Sequence, residues 1–270
     1  MRLLVIGDIV GRPGKHVCSQ VIPALIRERQ LDFVVANAEN VAAGSGITPQ
    51  MFNKLRHYGI DVCTMGDHIY KRREVLPLLE QSDRIMRPAN LPPEAQGRDV
   101  AIAPARNGAP VAVLSVLGRT FMNVRSDCPF HAADRVIARL PPEVRTIIVD
   151  VHAETTSEKV ALGWYLDGRV TAVVGTHTHV QTADERVLPK GTAYITDLGM
   201  TGPYDSVLGR DKQAVVKSLV TGVPHPYTVA SDDARLSGVI IETDDATGRA
   251  RCIERVHIAD PHPAGLNDDD

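Results

Sequence analysis

Seven side chains able to bind a metal ion stand at the ends of apolar runs. Asp8 follows the run 3–7, Glu39 and Asn40 follow 33–38, and Asp67 follows 62–66. His152 lies two residues past Asp150, which closes the run 147–149, and His177 and His179 follow the run 170–174 with one residue between them. Imidazole suits Zn, Fe, Mn and their neighbours, whereas carboxylate and amide oxygens suit harder ions. Seven donors exceed what one transition-metal ion takes, but they suit two ions sharing a bridging carboxylate. Two ions about 3.5–4 Å apart can lower the pKa of a water held between them and polarise a phosphoryl oxygen for in-line attack. Mixed oxygen and nitrogen donors without thiolate favour Fe, Mn or Zn over Ca or Mg. His68, beside Asp67, need not bind metal. It is the candidate general acid, and the alternative reading is a histidine that orders the ligands. Asp150, Glu154 and Asp197 are expected to orient the histidines from behind.

Side chains so far apart in sequence meet only if the chain folds them together. The apolar runs read as strands alternating with helices, expected over 13–29 (kinked or split at Pro23), 48–58 with Thr48 as N-cap, 71–80, 132–140 and 157–166. In open α/β sheets ligands bind at the carboxyl ends of the strands, so strands sharing one sheet would bring these loops into one crevice. His177 and His179 follow a strand end with one residue between them, and a turn there lets both converge on one point. Residues 87–110 are rich in proline and read as loop with a brief strand at 100–103, followed by a buried strand at 111–117. Further on, a strand at 192–196, a helix at 212–220 and a hairpin of 236–242 with 251–258 are expected.

With 270 residues, 43% hydrophobic and 23% charged, the chain has the composition of a soluble globular protein. A single domain over 1–260 is expected, followed by an acidic, disordered tail over 261–270. A formal net charge of −3 gives no general attraction to DNA or to an anionic membrane. No run reaches the length of a membrane span, and the apolar part of the N-terminal segment is too short for a signal peptide. The four cysteines are scattered, as reduced cytoplasmic thiols would be. His16, His57, His131, His225 and His257 need no role beyond helix, loop or strand positions. Gly7 and Gly11 lack phosphate-loop spacing, and no Ser or Thr follows Lys15, which excludes a nucleotide P-loop.

Taken together, Gly7-Asp8-Ile9-Val10-Gly11, Glu39-Asn40, Gly66-Asp67-His68, Asp150-Val151-His152-Ala153-Glu154 and Gly175-Thr176-His177-Thr178-His179 resemble the motifs of metallophosphoesterases in their order. More narrowly, they resemble the YmdB-type branch of the calcineurin-like superfamily, as do segments 118–122 and 196–203. The resemblance covers about residues 1–258. It implies an α/β fold of four layers, an αββα sandwich with two mixed sheets flanked by helices. It also implies a binuclear site: Asp8, Glu39, Asn40 and His179 on one ion, and Glu39, Asp67, His152 and His177 on the other, with His68 as proton donor. Proteins of this kind are phosphodiesterases that open 2′,3′-cyclic nucleotides with Fe or Mn. Two positions depart from the pattern. The superfamily's Asp-x-His has Val10 at its third place, so Asn40 would compensate for the missing imidazole. Asp67 stands where Asn is usual, and should tighten metal binding while blunting the ions' Lewis acidity. The expectation is therefore a cytoplasmic phosphodiesterase acting on a small phosphoester through a metal-bridging hydroxide, with a homo-oligomer allowed. The alternatives are a phosphomonoesterase and a nucleotide-sensing regulator of low turnover.

Overall fold

The computed structural model describes residues 1–262, so most of the expected tail, 263–270, lies outside the described residues. The chain begins with β1 (Arg2–Ile6), β2 (Asp8–Ile9), β3 (Phe33–Asn37) and β4 (Val62–Thr64). It crosses to a second sheet for β5 (Ala101–Pro104), β6 (Pro110–Leu117), β7 (Thr146–His152), β8 (Ala172–Thr176), β9 (Arg186–Val187) and β10 (Ala193–Ile195). It returns to the first with β11 (Met200–Pro203), β12 (Ala234–Thr243) and β13 (Ala250–Ala259). The first sheet runs β2-β11-β12-β1-β3-β4 with β13 on the other edge of β12, and the second runs β5-β6-β7-β8-β10-β9. Strands β1, β3 and β4 are parallel, as are β6, β7, β8 and β10.

The period-two alternation of side chains builds the layers. Leu3 and Val5 of β1, Phe33 and Val35 of β3, and Val239 and Ile241 of β12 face the second sheet, meeting Val111, Val113, Ile148 and Val174 in one dry layer. The intervening Leu4, Ile6, Val34 and Ala36 pack outward beneath α1 (Gly11–Glu28) and α2 (Pro49–His57). On the far side Leu114, Val116, Val149 and Val151 lie under α4 (Pro129–Ile137) and α5 (Thr156–Leu166); the short α3 (Val75–Gln81) precedes both in the chain. The result is the four-layer αββα sandwich. The last helix, α6 (Lys212–Thr221), ends on Gly222 in the left-handed region.

The donor-bearing strands belong to two sheets, as the resemblance implies, because β7 and β8 pair in the second. Two expectations change. Helix α1 runs unbroken through Pro23: ten of its residues are buried, and that packing offsets one missing hydrogen bond. His16 is 5% exposed and pairs with Asp260 at 3.2 Å, rather than standing on the helix surface. Thr48 does cap α2, accepting from the Met51 amide at 3.4 Å. Thr48→Ala is expected to lower stability by about 1 kcal/mol, read as a shift in the urea midpoint.

Candidate metal centre

The two sheets end side by side, and each contributes one kind of donor. The start of β2 and the loops after β3 and β4 carry Asp8, Glu39, Asn40, Asp67 and His68, whereas the end of β7 and the turn after β8 carry His152, His177 and His179. One ligand atom each from Glu39, Asp67, His152 and His177 lies within 4.8 Å of the others. His152 Nε2 is 3.1 Å from Glu39 Oε1 and 3.1 Å from Asp67 Oδ1, and His177 Nδ1 is 3.0 Å from His152 Nε2. Gly66 makes room for this meeting. A Cβ there would fall 2.4 Å from Glu39 Oε2 and from His152 Nε2, so any larger residue before Asp67 would push into the donors.

A second group adjoins through Glu39. Asn40 Nδ2 donates toward Glu39 Oε1 at 3.3 Å and Asp8 Oδ1 at 3.4 Å, and lies 3.3 Å from His179 Nε2. Asp8 Oδ1 is 3.7 Å from His179 Nε2. All seven predicted donors are therefore brought together, with one qualification of chemistry. Asn40 turns its nitrogen to the group, and its oxygen faces His68 Nδ1 at 2.8 Å. A cation there would require the amide turned over, because only the oxygen can ligate.

What distinguishes this from a buried polar knot is how the outer nitrogens are held. The Thr176 hydroxyl donates its only proton to Asp150 Oδ1 at 2.7 Å, so the 2.9 Å contact with His152 Nδ1 must be donated by the ring. His152 Nε2 thereby keeps its lone pair for the cluster. His179 Nδ1 donates to the Leu208 carbonyl at 3.1 Å, and His177 Nε2 lies 3.3 Å from Glu154 Oε2. Each imidazole is pinned from behind by an acceptor and presents its other nitrogen inward, the arrangement that orients metal-ligating histidines. Asp150 also accepts from Thr64 at 2.5 Å and Asn37 at 3.2 Å. Thr176→Val is expected to weaken metal affinity about 10–100-fold, measured calorimetrically, and Thr176→Ser to restore most of it.

The charges ask for a cation. Burial works to raise the Asp8 carboxyl, but its hydrogen bond and charge contact with His179, with help from His152 and the His177 amide, hold it well below the usual range. Burial also opposes ionisation of Asp67, yet His152, His68 and His177 bring it down to about 2. Burial disfavours the His152 imidazolium, but Glu39, Asp67 and Asp8 raise it well above the ordinary value. Burial and neighbouring His152 lower His177. The lowered carboxyls and the raised His152 both report a surplus of negative charge converging on the cluster, which a bound cation would also offset.

The turn that presents His177 and His179 is strained. Both have positive φ, 94° and 64°, a conformation that costs a side-chain-bearing residue of order 1–3 kcal/mol. Asp197 holds the turn by accepting from the Thr178 amide at 3.2 Å and its hydroxyl at 2.7 Å, and is paired with Lys159 Nζ at 2.7 Å. Lys159, Thr64, Thr176 and Asn37 escaped the sequence reading. Asn37 alone gave a signal, a polar residue inside an apolar strand. Lys159, a lysine within α5, gives no sign in the sequence of its complete burial.

A family model described as YmdB-like protein matches residues 4–256. The chain belongs to the YmdB-like family. It is 47% identical over 262 residues to the 2′,3′-cyclic-nucleotide 2′-phosphodiesterase of Bacillus subtilis (strain 168), covering 97% of this chain and 98% of that one. A putative phosphatase/phosphodiesterase of Mycoplasma genitalium is 34% identical, covering 96% of this chain and 93% of the relative. Among solved structures, a hypothetical protein of Thermus thermophilus superposes with a TM-score of 0.90 at 39% identity, covering 97% of this chain and all of that one. A Mycoplasma pneumoniae structure described as a novel phosphatase gives a TM-score of 0.90 at 31% identity, over 97% of this chain and 95% of that one. The YmdB-like relatives thus bear names of phosphoester hydrolases, and the fold is that of a metallophosphoesterase.

Proposed function

We propose that this chain is a phosphodiesterase that opens 2′,3′-cyclic nucleotides with two metal ions, Fe or Mn, with Zn able to serve. The observation that carries the reading is the set of three imidazoles, each fixed by an acceptor behind it and aimed at a cluster of carboxylates. Glu39, Asp67, His152 and His177 would hold one ion, and Glu39, Asp8, His179 and a turned-over Asn40 the other. Bound there, the ions would supply an acidified water and neutralise charge developing on the phosphoryl group. The chain's own part is to hold and move a proton. The main-chain amide of His68 is tied to Glu39 Oε2 at 3.0 Å, which places the ring beside the cluster; with Asn40 turned over, its Nδ2 would face His68 Nδ1 in place of Oδ1. The ring is 28% exposed with Nε2 3.8 Å from Asp67 Oδ2, and in this reading Nε2 gives its proton to the departing ribose oxygen. Residues 1–260 act as one domain in this reading, since both sheets furnish the site.

The same reading puts the protein in the cytoplasm, acting on a free small molecule rather than DNA. The four free cysteines and the net charge of −3 support it, and no helix among the described residues is long and apolar enough to cross a membrane. The test is chelation followed by reconstitution with Mn or Fe, comparing a 2′,3′-cyclic nucleotide, a bis-aryl phosphate and a mono-aryl phosphate. Diester turnover that is lost with the metal and returns with it is expected. Faster turnover of the monoester, or tight nucleotide binding without product, would overturn the proposal.

A further inference from the structure

We propose that the cavity on the outer side of His179 is the nucleobase subsite of this phosphodiesterase, an inference that rests on the reading above. The imidazole of His179 is a shared wall. Its Nε2 faces Asp8 and Asn40, while its Nδ1 is pinned on the carbonyl of Leu208, whose residue lines a cavity of about 480 Å³ together with Val180, Met200, Tyr204 and His257. The cavity therefore begins one ring's width from the cluster that would receive the phosphate. In a 2′,3′-cyclic nucleotide the base hangs from the ribose whose other edge carries the phosphate, so this is the span the ligand must cover.

The lining matches a flat aromatic heterocycle. Tyr204 is fixed by donating its hydroxyl to the Met200 carbonyl at 2.8 Å, and it meets His257 edge to face with centroids 4.8 Å apart. The Arg235 guanidinium lies 5.5 Å from the Tyr204 ring centroid. Together they form a stiff aromatic wall, the kind of platform on which bases stack with little regard to sequence. Arg255 also lines the cavity, but its charge is already met by Glu185 at 2.9 Å, and Val180, Met200, Leu208 and the Tyr204 ring leave apolar surface for a base. Val180 and Leu208 are 59% and 50% exposed, and Leu208 is held at φ 51°. Two large apolar side chains thus stand in water, one just after the His177–His179 turn and one on the separate Leu208 turn, both beside the charged cluster. A base lying across them would cover both.

The test uses full-length protein loaded with Mn. Turnover is measured on a 2′,3′-cyclic nucleotide, on 2′,3′-cyclic ribose phosphate lacking the base, and on a bis-aryl phosphate, for the native chain, Tyr204→Ala and Val180→Trp. The second variant fills the cavity from an exposed position and does not depend on removing a buried ring. Expected is a loss of about tenfold or more in kcat/KM for the nucleotide in both variants, with the base-free ester changed by less than about twofold. If both variants leave the nucleotide untouched, or lower all three substrates together, the subsite is wrong. A native chain that hydrolyses diesters without preferring the base-bearing one also overturns the subsite but leaves the phosphodiesterase standing. A native chain inactive on every diester overturns both.

Discussion

His68→Ala is expected to lower kcat on a 2′,3′-cyclic nucleotide by about 10²–10⁴-fold, the range in which general acid catalysis operates, while bis(p-nitrophenyl) phosphate loses far less. The difference lies in the leaving group. A ribose alkoxide departs poorly unless protonated, whereas nitrophenolate leaves as a stable anion. Removing the ring spares the backbone bond from residue 68 to Glu39 Oε2, so the carboxylate keeps one of its anchors. Equal losses on both substrates, accompanied by weaker metal binding, would mean that His68 orders the ligands through Asn40 and donates no proton.

Lys159→Met should have the largest effect on the fold. Lys159 and Asp197 are both fully buried and joined at 2.7 Å. Removing one partner of such a pair leaves an uncompensated charge, with a penalty of about 3–5 kcal/mol. Asp197 also accepts from Thr178 and, through its other oxygen, from the Gly199 amide at 2.8 Å. Strain at His177 and His179 would then no longer be firmly opposed, and metal affinity should fall with stability. Adding Asp197→Asn to Lys159→Met removes the orphaned charge and should recover part of the loss, whereas two independent sites would simply add. Urea titration of the metal-free variants reads the first effect and calorimetry the second. A loss of less than about 1 kcal/mol would place the pair among those of no structural consequence.

Much of this was legible because strand ends carry their chemistry in order. The positions of Asp8, Glu39, Asp67, His152, His177 and His179 follow from apolar runs that stop abruptly at ligand-type residues. The division of those runs between two sheets was not legible from periodicity, which fixes which face of a strand is buried but not its neighbour. Only the resemblance to a family supplied it. The short β2 and β11 carry no pattern of their own, since two to four residues with glycine and proline do not read as strand. The orientation of the Asn40 amide and the burial of Lys159 are properties of tertiary surroundings, and a lysine on a helix gives no hint that it faces inward.

The segregation of donors between the sheets has a consequence for how the protein is made. Every oxygen donor lies within the first 67 residues, and every nitrogen donor comes after residue 151. A nascent chain that has only reached Asp67 carries the oxygen donors of the proposed site but none of its three imidazoles. On the proposed reading, an ion that prefers imidazole can therefore be selected there only once the segment up to His179 has been made and folded against the first sheet.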